Sequence, residues 1–310
     1  MKRYIIIRII LSLFIIFGVL VFIFILGRIG VNDPSILMAG PDATQEDILE
    51  IRRLYGLDQH MLVQLGYFFK ELIKGNFGRS YYWDQPVLNL VLSRIPATFQ
   101  LAALATVMVW SLSICMGILA AVKRGKWIDT VTRTYVFAGQ SMPDFWLGLI
   151  LILVFSVKLG WLPTSGYGEL KHIILPAISV GIFGGAGLTR LTRSSMLNVL
   201  DSEYIKMARA KGMPERRVLF KHALKNAAIP LVTILGPLLA RTFSGALIIE
   251  LIFAWPGIGR LTYQAVLNSD FPVVQCAVFM STTLLVFGNL FVDIAYVIVD
   301  PRIRSFRKKE

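Results

Sequence analysis

Six apolar stretches, each long enough to cross a bilayer as a helix, constrain what this 310-residue chain can fold into. The hydrocarbon core of a bilayer is about 30 Å thick, and a helix needs about 20 apolar residues to cross it. The stretches are Tyr4–Leu26, Ala97–Val122, Val131–Val157, His172–Thr189, Ala227–Ile249 and Val273–Val299. The sequence therefore predicts an all-α, polytopic membrane protein with six transmembrane helices.

The composition excludes the soluble classes of protein. Hydrophobic residues make up 55% of the chain and charged residues only 16%, against about 25% charged residues in a typical soluble domain. An ordinary soluble enzyme and a disordered protein are both excluded. The first stretch is longer than the apolar region of a signal peptide, and no small-residue cleavage site follows it, so we expect it to be retained as a span.

The positions of the basic residues predict the orientation. The net charge is +13, and 21 of the 32 Lys and Arg residues lie in the N-terminus, the loop after the second stretch, the segment 190–226 and the C-terminal tail. Cytoplasmic loops carry such an excess, so both termini are predicted to be cytoplasmic. The positive charge is thus a topology signal that indicates no nucleic-acid partner, while basic ends beside the membrane favour anionic lipid.

The segment 27–96, on the outer side, is too long for a simple connection. Thr44 with Asp47 predicts a capping box at the start of a helix that Gly56 ends, and Met61–Lys74 predicts a second helix that ends at Gly75. We expect a small external helical element, which is either a packed ornament or a docking or gating surface. The predicted organisation is an N-terminal helix (1–26), this external helical loop (27–96) and a five-helix core (97–310).

Two spans contain breaks or close contacts. Pro143 in the third span predicts a kink, and Asp144 follows it directly. Gly181 and Gly185 in the fourth span form a pattern of small residues that permits close helix packing. Cys115 and Cys276 lie in apolar runs and the three histidines are far apart, so neither a disulfide framework nor a metal site is expected.

The cytoplasmic loop 190–226 reads as two short helices. They are predicted to run over Ser202–Lys211 and Pro214–Lys225, with a break at Gly212, and Asn226 is predicted to cap the fifth span. Small and apolar side chains alternate with Lys and Arg along both helices. Their apolar face needs a partner, either an anionic lipid surface or a soluble cytoplasmic protein.

The segment Glu203–Gly212 resembles the coupling loop of ABC importer permeases, the inner membrane components of binding-protein-dependent transport systems. The family pattern is Glu-Ala-Ala, three residues, Gly, and later Ile-x-Leu-Pro. Here the triplet is Lys206-Met207-Ala208, of which only the last position matches. Gly212 matches, and Pro230 comes about five residues late. The same departures from the general pattern are typical of the dipeptide, oligopeptide and nickel branch of this family.

Other short segments resemble the same branch in the same order, so the resemblance covers nearly the whole chain. They are Gly56–Gln59, Gly75–Gly78, Pro96–Thr98, Ser141–Gly148, Leu159–Pro163, Arg190–Arg193, Phe253–Gly257 with Gly259-Arg260, Asp270–Val273 and Asp300–Arg302. Each motif is weak by itself, but the ordered set is specific.

The resemblance implies a transport subunit and not an enzyme. It implies half of an import path in the bacterial cytoplasmic (inner) membrane, paired with a second homologous permease subunit. Two cytoplasmic ABC ATPase subunits and an external or periplasmic substrate-binding protein complete the implied assembly. ATP and Mg are expected in the ATPase subunits and no cofactor in this chain, which has no Gly-x-x-x-x-Gly-Lys-Ser/Thr phosphate loop.

We expect the coupling contacts on the first cytoplasmic helix. Ala208 and Gly212 would allow close approach of an ATPase subunit, and Tyr204 and Met207 would anchor it. Arg209 and Lys211 would pair with acidic residues there. The full set of candidates is Glu203, Tyr204, Met207, Ala208, Arg209, Lys211 and Gly212.

Ionisable residues within spans are candidates for the substrate path, because their burial in a membrane is costly. Arg241 would meet a substrate carboxylate, pair with Asp144 or Asp293, or snorkel to the interface. Asp144 would meet an ammonium group or cap the broken backbone, and Asp293, close to the inner end of the sixth span, would rather form a structural pair. Glu250 and Trp255 lie at the predicted outer mouth, where Trp255 is either a gate or an aromatic of the membrane interface.

The substrate class remains open at the level of sequence. Small peptides are favoured. Nickel or other metal chelates, glutathione and opine-like compounds are alternatives within the same branch. A secondary carrier driven by an ion gradient is the alternative from another class, and dependence on a separate ATPase chain distinguishes the two.

Overall fold

The computed structural model describes residues 2–29, 34–40, 43–234 and 247–299. These residues are mostly helical, which confirms the predicted all-α class; an isolated antiparallel bridge joins Arg79 and Pro86. The helices are α1 Lys2–Ile29, α2 Pro34–Ala39, α3 Gln45–Leu54, α4 Met61–Ile73, α5 Val87–Leu92, α6 Ile95–Val122, α7 Trp127–Ser141, α8 Asp144–Leu151, α9 Leu170–Leu200, α10 Glu203–Ala210, α11 Glu215–Arg217, α12 Leu224–Thr233, α13 Ile258–Leu267 and α14 Phe271–Val299. Segments of π-helix continue α8 and α11, at Ile152–Lys158 and Val218–Ala223, and residues 247–252 are also helical.

Three of the described helical stretches are long and apolar enough to cross a membrane, namely Ile6–Arg28, Val87–Val122 and Phe271–Leu290. Two bent pairs would raise the number to five, if each pair is one span. The predicted fifth span, Ala227–Ile249, includes residues 235–246, which lie outside the described residues. The chain is therefore a multi-pass helical protein, and the number six and the orientation of the termini stay predictions.

The predicted kink at Pro143 is a complete break. Helix α7 ends at Ser141, Met142 is extended, and α8 begins at Asp144. The two helical segments on either side of the break differ in direction by 113°. Proline has no N–H to donate and disfavours helical backbone in the preceding residue, which accounts for the extended Met142.

One compact unit comprises the described residues 99–234, 247–255 and 288–299, and its long helix α9 packs against α7, α8, α10 and α12. Glycines set the distance between α6 and α9. A Cβ atom on Gly185 would lie 2.7 Å from Ser113 Oγ, and one on Gly117 would lie 2.5 Å from Thr192 Cβ. The Ser113 hydroxyl donates to the Gly185 carbonyl at 2.8 Å. The close packing predicted for the glycines of the fourth span is confirmed at Gly185.

The other compact unit comprises the described residues 2–29, 34–40, 43–98 and 256–287. Its core is built from buried apolar side chains of α5, α13 and the first turns of α14: Val87, Leu90, Val91, Ile258, Leu261, Ala265, Val273, Val274, Cys276 and Ala277. The predicted external helices are present as α3 and α4.

The predicted capping signals of the external helices are confirmed. The Asp47 N–H donates to Thr44 Oγ1 at 3.3 Å, and the Thr44 N–H donates to Asp47 Oδ2 at 2.8 Å. Gly56 and Gly75 adopt φ values of 61° and 76° just beyond the ends of α3 and α4. Left-handed backbone at these positions favours glycine, so both helices end where the sequence indicates.

We predict that Gly185→Ala destabilises the protein by about 1–3 kcal/mol, because the new methyl group overpacks the contact with Ser113. Gly184→Ala is the matched control, since its Cβ would lie at an ordinary 3.5 Å from Val109 Cγ2. Thermal unfolding of the purified protein in detergent measures both effects. Equal losses of stability in the two variants would contradict the close contact.

Candidate functional site

Helix α10 lies in the predicted coupling loop and is one residue shorter at each end than predicted. Ser202 is its N-cap, Lys211 its C-cap, and Gly212 follows with a φ of 72°. The N–H of Gly212 donates to the Arg209 carbonyl at 2.9 Å, and the N–H of Met213 donates to the Ala208 carbonyl at 3.3 Å. Glycine is favoured at this left-handed position, so Gly212 shapes the exit of the helix.

One side of α10 is anchored in the core of the chain itself. Ile205 is fully buried and Ala208 nearly so. They pack with buried side chains of the neighbouring helices, namely Ile118, Ala121, Met196, Leu200, Val218, Ala223 and Ala227. The methyl group of Ala208 therefore fills this core and does not belong to the exposed side of the helix.

The other side of α10 is open. Met207 is 61% exposed, Tyr204 is 44% exposed, and the predicted contacts Glu203, Arg209 and Lys211 are exposed as well. Five predicted contacts thus share the accessible surface, and Gly212, also exposed, borders it. We call the exposed set Glu203, Tyr204, Met207, Arg209, Lys211 and Gly212 the coupling face.

Charged side chains on the coupling face already have partners within the loop. Arg209 donates twice to Glu215, at 2.7 and 3.2 Å, and Lys206 donates to Glu203 at 2.8 Å. The hydrogen bond from Arg209 to Glu215 raises the pKa of the guanidinium further above its usual value. Exposed ion pairs contribute little free energy, so a partner protein can exchange them at low cost.

The second cytoplasmic helix differs from the prediction. It does not stop at Lys225, because the π-helical segment carries the helix on from α11 into α12. The prediction that Asn226 caps the fifth span is therefore wrong. Asn226 lies inside α12, and its Nδ2 donates to the Tyr204 hydroxyl at 3.0 Å and to the His222 carbonyl at 2.9 Å. This side chain ties α10 to α12.

A buried ion pair near the coupling loop was missed by sequence reasoning. Asp129, 1% exposed, accepts two hydrogen bonds from Arg193, at 2.7 and 3.0 Å, and one from the N–H of Gly125 at 3.0 Å. Arg133 lies 3.7 Å away. The pair joins the start of α7 to the end of α9 that leads into α10. The sequence feature that could have indicated this ion pair is Asp129, a single acidic residue among the basic residues of the segment 123–133.

The structure describes only part of the predicted substrate path. Asp144 is the first residue of α8, and Asp293 lies within α14; only their backbone positions are described. Arg241 lies outside the described residues. The pairing of Arg241 with either carboxylate stays a prediction.

Glu250 and Trp255 lie in a tightly folded turn. The Trp255 N–H donates to the Glu250 carbonyl at 2.8 Å, and Ala254 between them has a φ of 50°. Both Glu250 and Trp255 are buried, and the rings of Trp255 and Tyr167 pack edge to face with 4.8 Å between ring centroids. Trp255 is thus packed inside the chain and does not face lipid as an interface aromatic would.

We predict that Asp129→Asn lowers the unfolding free energy by about 3 kcal/mol, because it leaves the Arg193 guanidinium without its buried counter-charge. Asp201→Asn is the control, since Asp201 pairs with Arg124 at 3.6 Å in an exposed position, where pairs contribute less than about 1 kcal/mol. Chemical or thermal unfolding of the two purified variants measures the difference. Similar losses in both would show that the Asp129 pair does not hold α7 to α9.

Comparison with known proteins places this geometry in a family. Residues 113–305 match the family described as binding-protein-dependent transport system inner membrane component, and residues 1–102 match the N-terminal region of such membrane components. The two matches together cover most of the chain, and the first contains the whole coupling loop.

Individual relatives match over nearly their full length. An oligopeptide transport system permease protein of Bacillus subtilis, AppB, is 40% identical over 314 residues, covering 98% of this chain and 99% of the relative. The glutathione transport system permease protein GsiC of Escherichia coli K12 is 40% identical over 295 residues, covering 94% and 95%. A putative peptide transport system permease protein of Brucella abortus is 42% identical over 289 residues, covering 91% and 92%.

A solved structure shares the fold. A chain of the MetNI methionine ABC transporter, in an inward-facing conformation, superposes with a TM-score of 0.56 at 17% identity. The match covers 69% of this chain and 98% of that chain.

Proposed function

The chain belongs to the family of binding-protein-dependent transport system inner membrane components, and from this premise we propose that it carries small peptides through a path driven by separate ATPase subunits. As a family member it is a transmembrane permease subunit of an ABC importer. Residues of this chain bind the peptide, guide it through the path and transmit movement from the ATPase subunits. ATP hydrolysis is assigned to those other chains.

The coupling face is the observation that carries the proposed link to an ATPase. Helix α10 combines an exposed side, with Met207 at its centre, and a buried side fixed by Ile205 and Ala208. A protein that binds the exposed side therefore pushes or pulls on the core formed with α9 and α12. ATP binding shifts the permease between two states only if the ATPase contacts those states differently, and the anchored helix provides such a contact.

Small peptides are the proposed substrate class, with glutathione as a member of that class. The relatives at 40% to 42% identity are described as permeases for oligopeptides, peptides and glutathione. Nickel or other metal chelates and opine-like compounds are the alternative substrates within the same kind of importer. The path residues Arg241, Asp144 and Asp293 are proposed to meet the charged termini of a peptide.

The proposed assembly contains four further parts. These are a second homologous permease subunit, two cytoplasmic ABC ATPase subunits and an external or periplasmic substrate-binding protein. Its proposed location is the bacterial cytoplasmic membrane, with both termini inside, as the distribution of basic residues favours. The family match and the likeness to a MetNI chain support this composition in general terms.

Transport by the reconstituted complex tests the substrate proposal. Proteoliposomes that contain the co-purified complex and its binding protein are expected to take up labelled di-, tri- and oligopeptides with internal ATP. Uptake of a nickel chelate but no peptide would contradict the peptide assignment. Uptake without any ATPase, abolished by an ionophore, would favour the secondary carrier.

We predict that Gly212→Ala uncouples ATP hydrolysis from transport, because a left-handed backbone at this position strains a residue with a Cβ atom and displaces the coupling face. Apart from the adjacent residues of the chain, no described atom lies within 4 Å of the new methyl group, so the effect comes from the backbone and not from a clash. Uptake per ATP hydrolysed in proteoliposomes measures the coupling.

Gly75→Ala is the matched control for this prediction. Gly75 has a φ of 76°, open space around its Cβ position and an N–H that donates to the Leu72 carbonyl at 2.9 Å, but it follows α4 and lies outside the coupling face. The control carries the same backbone strain and should keep its coupling ratio. Equal loss of coupling in both variants would remove the special role of α10.

A further inference from the structure

One side of helix α9 is polar and exposed. Arg190, Ser194 and Asn198 follow one another at intervals of four residues, which places them on one face of the helix. Another face of the same part of α9 belongs to the core of the chain, where Leu188 and Met196 are buried. We call the exposed set Arg190, Ser194 and Asn198 the polar stripe.

The beginning of the polar stripe lies beside an apolar, membrane-spanning helix. Helix α9 touches α6 on either side of Arg190 in the chain, at Gly185 and at Thr192. The residues of α6 at these contacts, 113 and 117, belong to the stretch Val87–Val122, which is apolar enough to cross a membrane. Arg190 is therefore carried by a part of α9 that runs alongside a span, and not by a separate loop.

Another surface of the same compact unit has the opposite character. Helix α8 and the π-helical segment that continues it expose large apolar side chains, among them Trp146, Leu149 and Leu153. Such a surface suits lipid. Ionisable side chains within membrane segments instead face the interior of an assembly or a water-filled cavity, because their transfer to hydrocarbon is costly. The polar stripe thus marks the side of this unit that borders the water-filled path.

The positive charge of Arg190 has no counter-charge in the described part of the chain. Its Nη1 donates to Gln140 Oε1 of α7 at 3.3 Å, and Gln140 is neutral. Arg193, three residues further along α9, is arranged differently, because its guanidinium lies 2.7 Å from the buried carboxylate of Asp129. Of these two arginines, Arg193 serves the packing of helices, whereas Arg190 keeps an uncompensated charge on an exposed surface.

A glycine makes room beside this guanidinium. A Cβ atom on Gly187, one turn before Arg190, would lie 3.9 Å from Gln140 Nε2, so the amide of Gln140 rests over a position without a side chain. A guanidinium carries five N–H donors and a side-chain amide carries two. The hydrogen bond between Arg190 and Gln140 uses one of these donors. The others are available to an anion, and a guanidinium binds a carboxylate through two parallel hydrogen bonds.

We propose that Arg190 binds the C-terminal carboxylate of the transported peptide on the wall of the path, and that Gln140 orients the guanidinium. This inference rests on the proposed function, and it adds a described residue to the path residues predicted from the sequence. Small linear peptides share this carboxylate whatever their side chains, so one arginine serves many substrates. Ser194 and Asn198 continue the polar wall from Arg190 toward the coupling loop.

Uptake by proteoliposomes that contain the complete complex and its binding protein tests this proposal. The probes are labelled trialanine with a free C-terminal carboxylate and the same peptide with a C-terminal amide. We expect Arg190→Gln to lower the initial uptake rate of the free acid about tenfold, the effect of losing a charge-assisted hydrogen bond, and to leave the rate of the amide nearly unchanged. Arg190→Lys keeps the charge and should lose less.

The control and the contrary outcomes are as follows. Lys171→Gln removes one positive charge from the exposed first turn of α9, outside the polar stripe, and should leave both rates unchanged. The binding protein is the same in every sample, so its own preference cancels when a variant is compared with the unaltered complex. Equal loss of acid and amide uptake in Arg190→Gln would overturn the proposal. Failure of the unaltered complex to take up either peptide would instead contradict the proposed function.

Cysteine labelling tests the water-facing position of Arg190 independently of transport. In a background with Cys115 and Cys276 replaced by serine, Arg190→Cys in lipid nanodiscs should react with a charged, water-soluble methanethiosulfonate. Leu149→Cys is the matched control, since Leu149 is also exposed in this chain but lies on the apolar surface of α8, and it should react at least tenfold more slowly. Equal protection of both positions from the reagent would place Arg190 against lipid and overturn the proposal.

Discussion

Inside a bilayer no water is available to hydrogen-bond a backbone group, so a chain must satisfy its own N–H and C=O groups wherever it crosses. The described spans do so as helices. Several hydroxyl side chains within the helices follow the same rule, because they donate to a carbonyl of the preceding turn. Examples are Ser111 to Val107, Ser179 to Leu175, Thr189 to Gly185 and Thr192 to Leu188. These four hydroxyl groups are thereby hydrogen-bonded without a tertiary partner.

With backbone groups satisfied locally, helix association depends on shape and on a few polar contacts between helices. Helix α9 shows both. Its glycines allow close contact with α6, and its Arg193 holds Asp129 at the start of α7. The same helix continues to Leu200 and delivers the chain directly into α10. A force that a bound protein applies to the coupling face therefore reaches α9, which is packed tightly against α6 and α7.

Most local signals were read correctly from the sequence, whereas most contacts between distant residues were not. The capping box of Thr44 and Asp47, the break at Pro143 and the turn at Gly212 depend on a few adjacent residues, so their patterns are visible in the chain. The ion pair between Asp129 and Arg193 joins residues that are 64 positions apart, and no local sequence pattern predicts it. Asn226 was misread as a cap because a π-helical segment continues the helix through a stretch that ends, by local rules, at Lys225.

On α10, the residues that stabilise the helix differ from the residues that are exposed for binding. A helix of eight residues has little stability by itself, since nucleation is costly and few hydrogen bonds repay it. Here Ile205 and Ala208 hold α10 by their burial, so the exposed residues need not contribute to folding. This explains why the triplet Lys206-Met207-Ala208 can depart from the Glu-Ala-Ala pattern of the family at its first two positions, which are exposed, and keep Ala at the third, which is buried. The exposed positions are therefore free to vary, whereas the buried position is fixed by the chain's own core.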